Sequence, residues 1–307
     1  MSRSLTVEIE KMVYGGRGMG RVNGKVVFVP FTAPGEKVQV EVVRERKDYI
    51  EAVLKNIERN SPLRVKPFCD LFGKCGGCQY QHLPYPEQLK LKEETLKDTL
   101  HRLIRKGTFE VLTVIPSPHD RRYRIRAQLK VGMSAGRAVL GFYAWRTHRV
   151  VEVQECPLLH PLVNGILEGL GNLTLPLAQR AWKVWGIDQD PQAIEHAAEN
   201  ARKNNLPNCQ FIAASAEEGI KLVLREIDSV DVVVLDPPRS GARGTLDLLA
   251  SLRPPKILYV SCEQPTLARD LTRLIALGYN VKRIQPLDMF PQTYHIEVIG
   301  ELTHGGM

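Results

Sequence analysis

Two residues stand where a chain of this kind does chemistry. Asp236 closes the apolar run V-D-V-V-V-L-D-P-P-R-S-G, and Cys262 closes a second one in I-L-Y-V-S-C-E-Q-P-T-L-A-R-D-L. Continuous β-branched runs that end in Pro, Gly or Ser are the mark of strands buried on both faces. In open α/β sheets, ligands gather just beyond such strand ends. The two residues are therefore expected side by side at one edge of the sheet, presenting a carboxylate and a thiol to the same crevice. Most free cysteines are small buried hydrophobes. Cys262, however, lies between a strand and a helix read from Pro265, Leu267, Leu271, Leu274 and Ile275, with Gly278 at its end. The positive end of that helix is expected to lower the thiol pKa from about 8.5 and favour the nucleophilic thiolate.

A second set of sulfurs has the spacing of a ligand array. Cys69, Cys75 and Cys78 fall in P-F-C-D-L-F-G-K-C-G-G-C-Q-Y-Q-H, a C-x5-C-x2-C pattern whose two glycines let the backbone fold tightly about one centre. A closed site needs a fourth ligand, for which Cys156 in V-Q-E-C-P-L-L is the candidate. All-thiolate ligation suits zinc or an iron–sulfur cluster equally, and spacing does not choose between them. No apolar leader opens the chain and no apolar run approaches the length of a membrane span, so a soluble, cytoplasmic protein is expected. In a reducing compartment six cysteines point to metal or redox chemistry instead of disulfides.

The elements that must position these groups fall into three parts. Residues 1–58 read as five short strands, Leu5 to Ile9, Lys25 to Phe31, Lys37 to Val43 and Ile50 to Ile57 among them, as in a small OB-type barrel. The G-G-R-G-M-G-R segment from Gly15 to Arg21 precedes a strand, not a helix, so it is expected to form a tight hairpin presenting Arg17 and Arg21, not a dinucleotide loop. This part is similar to a TRAM domain, an RNA-binding barrel. Residues 59–170 hold the cysteine array, a charged helix from Tyr85 to Arg105, and strands in which arginines alternate with Tyr123, Phe142, Tyr143 and Trp145. Such a mixture offers phosphate contacts and stacking surfaces to RNA. Residues 171–307 alternate strands and helices. Lys183 to Ile187 is a strand running into Asp188, where an acidic residue commonly holds ribose hydroxyls. A helix over Pro191 to Asn204, a strand over Gln210 to Ala213 and a helix over Glu217 to Ile227 lead to the Asp236 strand.

Charge divides the chain in the same way. Residues 1–170 carry 28 Lys and Arg against 18 Asp and Glu, whereas residues 171–307 carry 14 against 16. A basic excess confined to one half predicts a surface for a polyanion, and nucleic acid fits better than membrane because no basic amphipathic anchor helix is evident.

Over nearly its whole length the sequence resembles the RNA uracil-5-methyltransferase family, especially TRAM-containing members acting on 23S ribosomal RNA. The motifs that carry the resemblance are C-D-L-F-G-K-C-G-G-C-Q-Y-Q-H, G-N-L-T-L-P-L-A, D-P-P-R-S-G, Y-V-S-C-E-Q-P-T-L-A-R-D-L and Y-H-I-E-V-I. The resemblance implies S-adenosylmethionine as cofactor, contacted by Asn172, Asp188, Ser215 and Asp236. It implies Cys262 as nucleophile and Glu297 as proton-abstracting base. It also implies a four-iron four-sulfur (4Fe-4S) cluster on Cys69, Cys75, Cys78 and Cys156. The expected product is 5-methyluridine in 23S rRNA, made by a monomer. A tRNA uridine is the alternative target, and a non-catalytic RNA-binding iron–sulfur protein is the alternative function.

The chain departs from the family pattern in two places. The family carries a strand and a glycine loop, D-L-x-C-G-x-G, directly before G-N-x-T-L-P-L-A, whereas here L-L-H-P-L-V-N-G-I-L-E-G-L runs straight into Gly171. The Rossmann-like sheet is thus expected to lack its first strand and to show a gap between the Asp188 and Asp236 strands. Ser215 stands where Asp or Asn is usual. The overall expectation is a multidomain α/β protein: an OB-like TRAM barrel, a small cluster-bearing α+β region and an incomplete Rossmann-like methyltransferase domain.

Overall fold

The computed structural model describes residues 3–124, 130–134, 137–153, 156–159, 174–227 and 229–305. Asn172 and most of the segment before Gly171 lie outside the described residues.

The N-terminal strands are β1 (Ser4–Glu8), β2 (Lys11–Val13), β3 (Arg17–Val22), β4 (Lys25–Pro30), β5 (Lys37–Glu45) and β6 (Tyr49–Arg59), in one sheet ordered β1-β5-β6-β4-β3-β2. Alternation of apolar and polar residues sends Val7, Val27, Val29, Val38, Val40, Ile50 and Ala52 to a common core, joined by Ile9 beyond the end of β1. The segment from Gly15 to Arg21 forms the expected tight hairpin: Gly15 and Gly16 turn, with φ of 91° and 72°, and Arg17 opens β3, the third of six strands. Its glycines serve close packing: a Cβ at Gly20 would lie 2.0 Å from the Glu8 carbonyl oxygen, and one at Gly18 would lie 2.2 Å from Thr32 Oγ1. The sheet therefore curls until β3 abuts the end of β1, and the Glu10 N–H donates to the Met19 carbonyl at 2.8 Å.

The middle of the chain contributes α1 (Tyr85–Leu103), β7 (Glu110–Val111) and a three-stranded sheet ordered β10-β9-β8, made of β8 (Lys130–Ser134), β9 (Arg137–Tyr143) and β10 (Val150–Glu152). Leu96 and Leu100 of α1 enter the same core as Leu267 and Leu271 further along the chain, and β7 pairs in parallel with a C-terminal strand.

The rest alternates α2 (Thr174–Ala178), β11 (Val184–Asp188), α3 (Pro191–Lys203), β12 (Cys209–Ala213), α4 (Ala216–Val223), β13 (Val232–Leu235), α5 (Leu246–Ser251), β14 (Lys256–Ser261), α6 (Gln264–Ala276), β15 (Tyr279–Leu287) and β16 (Glu297–His304). The starts of α3 and α4 are written locally. Asp190 Oδ1 accepts from the Gln192 N–H with Pro191 following, and Ser215 and Glu218 cap each other's backbone. These strands form two sheets. β11 and β12 pair in parallel by themselves, and the other sheet runs β13-β14-β16-β15-β7 with β13 at its edge. One face of the larger sheet packs Ile257, Tyr259, Ile284, Val298 and Leu302 against α1, α5 and α6, and this is the main core. Among the described residues no helix is long and apolar enough to cross a membrane.

Candidate active site at the ends of β13, β14 and β16

Parallel β13 and β14 are registered with Leu235 beside Tyr259, and β14 runs two residues further to Ser261. Asp236 and Cys262 each follow their strand by one residue. Antiparallel β16 starts at the same level, since Ser261 pairs with Val298, so Glu297 opens its strand next to the thiol. Three strands thus deliver a carboxylate, a thiol and a second carboxylate to one place.

The groups act on one another. Burial pushes the Glu297 carboxyl up to about 7, helped by the negative charge of Asp236. Burial likewise raises the Asp236 carboxyl. The Cys262 thiol is raised above its ordinary value, first by burial and then by the Glu297 charge. This corrects the expectation of a helix-lowered thiol. Cys262 precedes the α6 N-cap, Glu263, and desolvation outweighs whatever the helix end contributes. The opposing influence comes from Arg239, whose guanidinium offers Cys262 a side-chain hydrogen bond and a positive charge. Arg239 belongs to the D-P-P-R-S-G motif, but nothing in its type or spacing said that it would reach the neighbouring strand end.

The Arg239 loop is itself tied down. Buried Asp270 on α6 accepts from the Ala242 N–H at 2.7 Å and the Tyr259 hydroxyl at 2.5 Å, and Arg269 donates to the Ser240 carbonyl at 2.8 Å. Gly241 is required at this crossing: its φ is +83°, and a Cβ would sit 2.4 Å from Asp270 Oδ2. The segment leading to Glu297 is braced from α1. Lys92 donates to Asp288 Oδ1 at 2.6 Å and to the Phe290 carbonyl at 3.0 Å, with both charged side chains wholly buried. Gln88 and Gln292 exchange hydrogen bonds at 2.9 Å. His295, two residues before Glu297, is held neutral, its pKa lowered to about 4 by burial and by the positive charges of Arg239, Lys92 and Arg124.

The other candidate cofactor contacts lie on the separate strand pair. Asp188 ends β11 and accepts the Asp190 N–H at 2.9 Å. Ser215 follows β12, exposed, with its hydroxyl engaged in capping α4. Asp188 and Ser215 are thus at the carboxyl ends of neighbouring strands, and Asp236 is at the corresponding end of the larger sheet.

The four sulfurs read as a ligand set line one cavity, with Leu71, Phe72, Phe142, Val153, Leu158 and Arg124. The turn that carries them is fixed by the Phe72 N–H on the Cys69 carbonyl and the Cys75 N–H on the Leu71 carbonyl, at 3.0 and 2.8 Å. Gly76 presses against β9, where a Cβ would lie 2.8 Å from the Tyr143 carbonyl oxygen. Burial raises the Cys75 thiol and pushes Cys78 up to about 11. Among the described residues no three His, Cys, Asp or Glu side chains converge as a single metal ion requires.

Several groups expected to face RNA are engaged within the protein. Arg17 stacks on Phe28 and pairs with Glu51, whereas Arg21, paired with Glu10, stays exposed. Tyr123 donates to the Pro291 carbonyl, Arg124 to that of Gly77, and Trp145 packs on Phe31. Their β pattern was legible, but which of them the N-terminal sheet and the cysteine turn would cover was not. Tyr143 stays 39% exposed, with Lys130 over its ring.

An α/β fold with a thiol-and-carboxylate crevice at its strand ends, joined to a curled N-terminal sheet, defines a class in which comparison is informative. Residues 165–303 match the model of the tRNA (uracil-5-)-methyltransferase family, and residues 3–55 match the TRAM domain. A protein of Aquifex aeolicus described as an uncharacterized RNA methyltransferase is 31% identical, with 98% of both chains covered in an alignment of 424 positions. A 23S rRNA (uracil-C5)-methyltransferase, RlmD, from a Marinomonas species is 28% identical over 96% of this chain and 93% of its own. Among solved structures, the Pyrococcus abyssi tRNA (uracil-54, C5)-methyltransferase in complex with S-adenosyl-L-homocysteine shares the fold. Its TM-score is 0.62 at 24% identity, over 97% of this chain and 99% of that one. The chain belongs to the RNA uracil-C5 methyltransferase family and carries a TRAM domain at its N-terminus.

Proposed function

We propose that this protein methylates C5 of a uridine in 23S rRNA, using S-adenosylmethionine. The observation that carries this reading is the meeting of Cys262, Glu297 and Asp236 at three strand ends, with Arg239 on the sulfur. C5 of uracil is a weak nucleophile, so the Cys262 thiolate first adds at C6 and makes C5 enolate-like. Arg239 favours the thiolate over the thiol. S-adenosylmethionine, when bound, supplies an electrophilic methyl group for C5. Glu297 then takes the proton from C5, the electron pair returns to the ring and the sulfur leaves C6. A carboxyl group near 7 suits that transfer at neutral pH.

Asn172, Asp188, Ser215 and Asp236 are the proposed cofactor contacts. The separation of β11–β12 from the sheet edged by β13 supports the reading that a central first strand is missing. So does an alignment of 424 positions against a chain of 307 residues. The N-terminal sheet, curled until β3 meets β1, is read as an OB-like barrel for RNA. RlmD, among the similar proteins, favours ribosomal RNA as target, and the structural likeness to a tRNA enzyme shows only the fold.

For Cys69, Cys75, Cys78 and Cys156 we propose a four-iron four-sulfur cluster. Four sulfurs line one mostly apolar cavity, as a multi-atom centre would need, though among the described residues no three of them converge on one point. The cluster would staple the 69–78 turn to Cys156.

Titration calorimetry with S-adenosylmethionine, together with trapping on RNA containing 5-fluorouridine, tests the whole reading. Fluorine at C5 cannot leave as a proton, so a covalent adduct at Cys262 is expected. RNA binding without cofactor binding or adduct would establish the rival, a non-catalytic RNA-binding iron–sulfur protein, which the split sheet favours.

A further inference from the structure

The β2–β3 turn of the TRAM domain reaches the methyltransferase crevice. Tyr14 donates its hydroxyl to Glu263 Oε1, and Glu263 is both the neighbour of Cys262 and the N-cap of α6. The contact is packed as well as bonded. The Tyr14 ring meets Tyr294 edge-on at 5.8 Å between centroids, and Tyr294 lies 4.1 Å from His295. Gly16, on the same turn, approaches so closely that a Cβ there would be 3.2 Å from Tyr294 and from Gln79. The Tyr14 side chain is desolvated and lies within the field of Arg239, the guanidinium that hydrogen-bonds Cys262. Tyr294 feels Arg239 and Glu263 together. One arginine therefore stands near two possible partners, the sulfur of Cys262 and the carboxylate of Glu263.

We propose that Tyr14 is a positioning residue of the methyltransferase centre, contributed by the TRAM domain: by occupying the Glu263 carboxylate it leaves Arg239 to Cys262. The inference rests on the reading of Cys262 as nucleophile but concerns the state of the sulfur, which is measurable without RNA or cofactor. Without the hydroxyl, the half-buried Glu263 carboxylate loses its donor, and Arg239, which acts on Tyr14 and Tyr294 as Glu263 does, is a cation it can recruit. Cys262 then keeps the charge of Glu297 and the influence of burial while losing the Arg239 hydrogen bond that opposes them. Asp236 acts on Glu297, and Arg17 and Arg146 act on the neighbouring Tyr294. The TRAM domain would thus help to build the catalytic crevice in addition to binding RNA.

The test is the pH dependence of Cys262 alkylation by iodoacetamide in the full-length protein, followed by mass spectrometry of the Cys262 peptide so that the other cysteines do not contribute. Tyr14→Phe keeps the ring and its packing. It is expected to shift the alkylation profile upward by about one pH unit, slowing modification at neutral pH about tenfold. Glu263→Gln removes the competing carboxylate, so Tyr14→Phe combined with Glu263→Gln is expected to regain the wild-type profile. Mere loss of packing or stability would not be rescued by a second substitution. Wild-type alkylation in Tyr14→Phe, or a double variant as slow as Tyr14→Phe, would overturn the proposal. Failure of the wild-type protein to form a 5-fluorouridine adduct would instead count against the methyltransferase reading, because alkylation is indifferent to it.

Discussion

The protein holds sulfur in two kinds of place. At Cys262 one thiol faces a guanidinium, two carboxyl groups and the rim of a crevice. At Cys69, Cys75, Cys78 and Cys156, four thiols face one another inside walls that are mostly apolar, with Arg124 as the charged neighbour. Burial raises the Cys262 thiol and, at the other site, Cys75 and Cys78, yet the consequences differ. A lone thiol beside Arg239 needs only one proton removed to become a nucleophile that adds and departs again. Four thiols in an apolar pocket, whose thiolates would repel one another, ionise readily only around a strongly positive centre, as the proposed cluster would be. On the proposed reading, what surrounds the sulfur decides whether it reacts or holds structure.

The largest effect expected from breaking this contrast is at the lone thiol. Cys262→Ala is expected to abolish both methyl transfer and the adduct with 5-fluorouridine RNA on denaturing gels, and an adduct that persisted would remove Cys262 from its role. Next is Glu297→Gln. Turnover is expected to fall about 10²–10⁴-fold, the range for a general base, while addition at C6 continues, so ordinary uridine RNA should become trapped as the methylated adduct. In the wild-type enzyme the rate is expected to rise with pH through about 7 as Glu297 loses its proton, and this limb should be missing from the profile of Glu297→Gln.

At the four-sulfur site, protein purified without oxygen is expected to be brown with about four irons per chain. Cys78→Ser should lose the iron and unfold at lower temperature while Cys262 stays open to alkylation. Colourless protein holding one zinc would reverse the assignment. The smallest effect separates burial from catalysis. Because the folded-state carboxyl of Glu297 is raised, its ionisation opposes folding at pH above about 7, and this opposition vanishes as pH falls towards ordinary carboxylate values. Glu297→Gln should therefore melt higher than wild type at pH 8, with the two converging near pH 5.

Much of this was readable before any coordinates. The β-branched runs before Asp236 and Cys262, the Pro–Gly turns after them and the helix closing at Gly278, with φ of +96°, are local signals, and they placed the strand ends correctly. Clustering of Cys69, Cys75 and Cys78 is equally local. Three things were not legible, because each depends on residues far apart in sequence. The thiol expected to be lowered is raised, since desolvation is set by everything packed around it. Arg17, Arg124 and Trp145, cationic and aromatic in pattern, were claimed by Glu51, the Gly77 carbonyl and Phe31. And no spacing rule relates Tyr14 to Glu263, which are 249 positions apart. Sequence determines where chain segments can extend, turn or coil, because those preferences reside in each residue and its neighbours. Tertiary structure alone decides which charges meet and which are dried, because electrostatic and desolvation energies depend on distance through space.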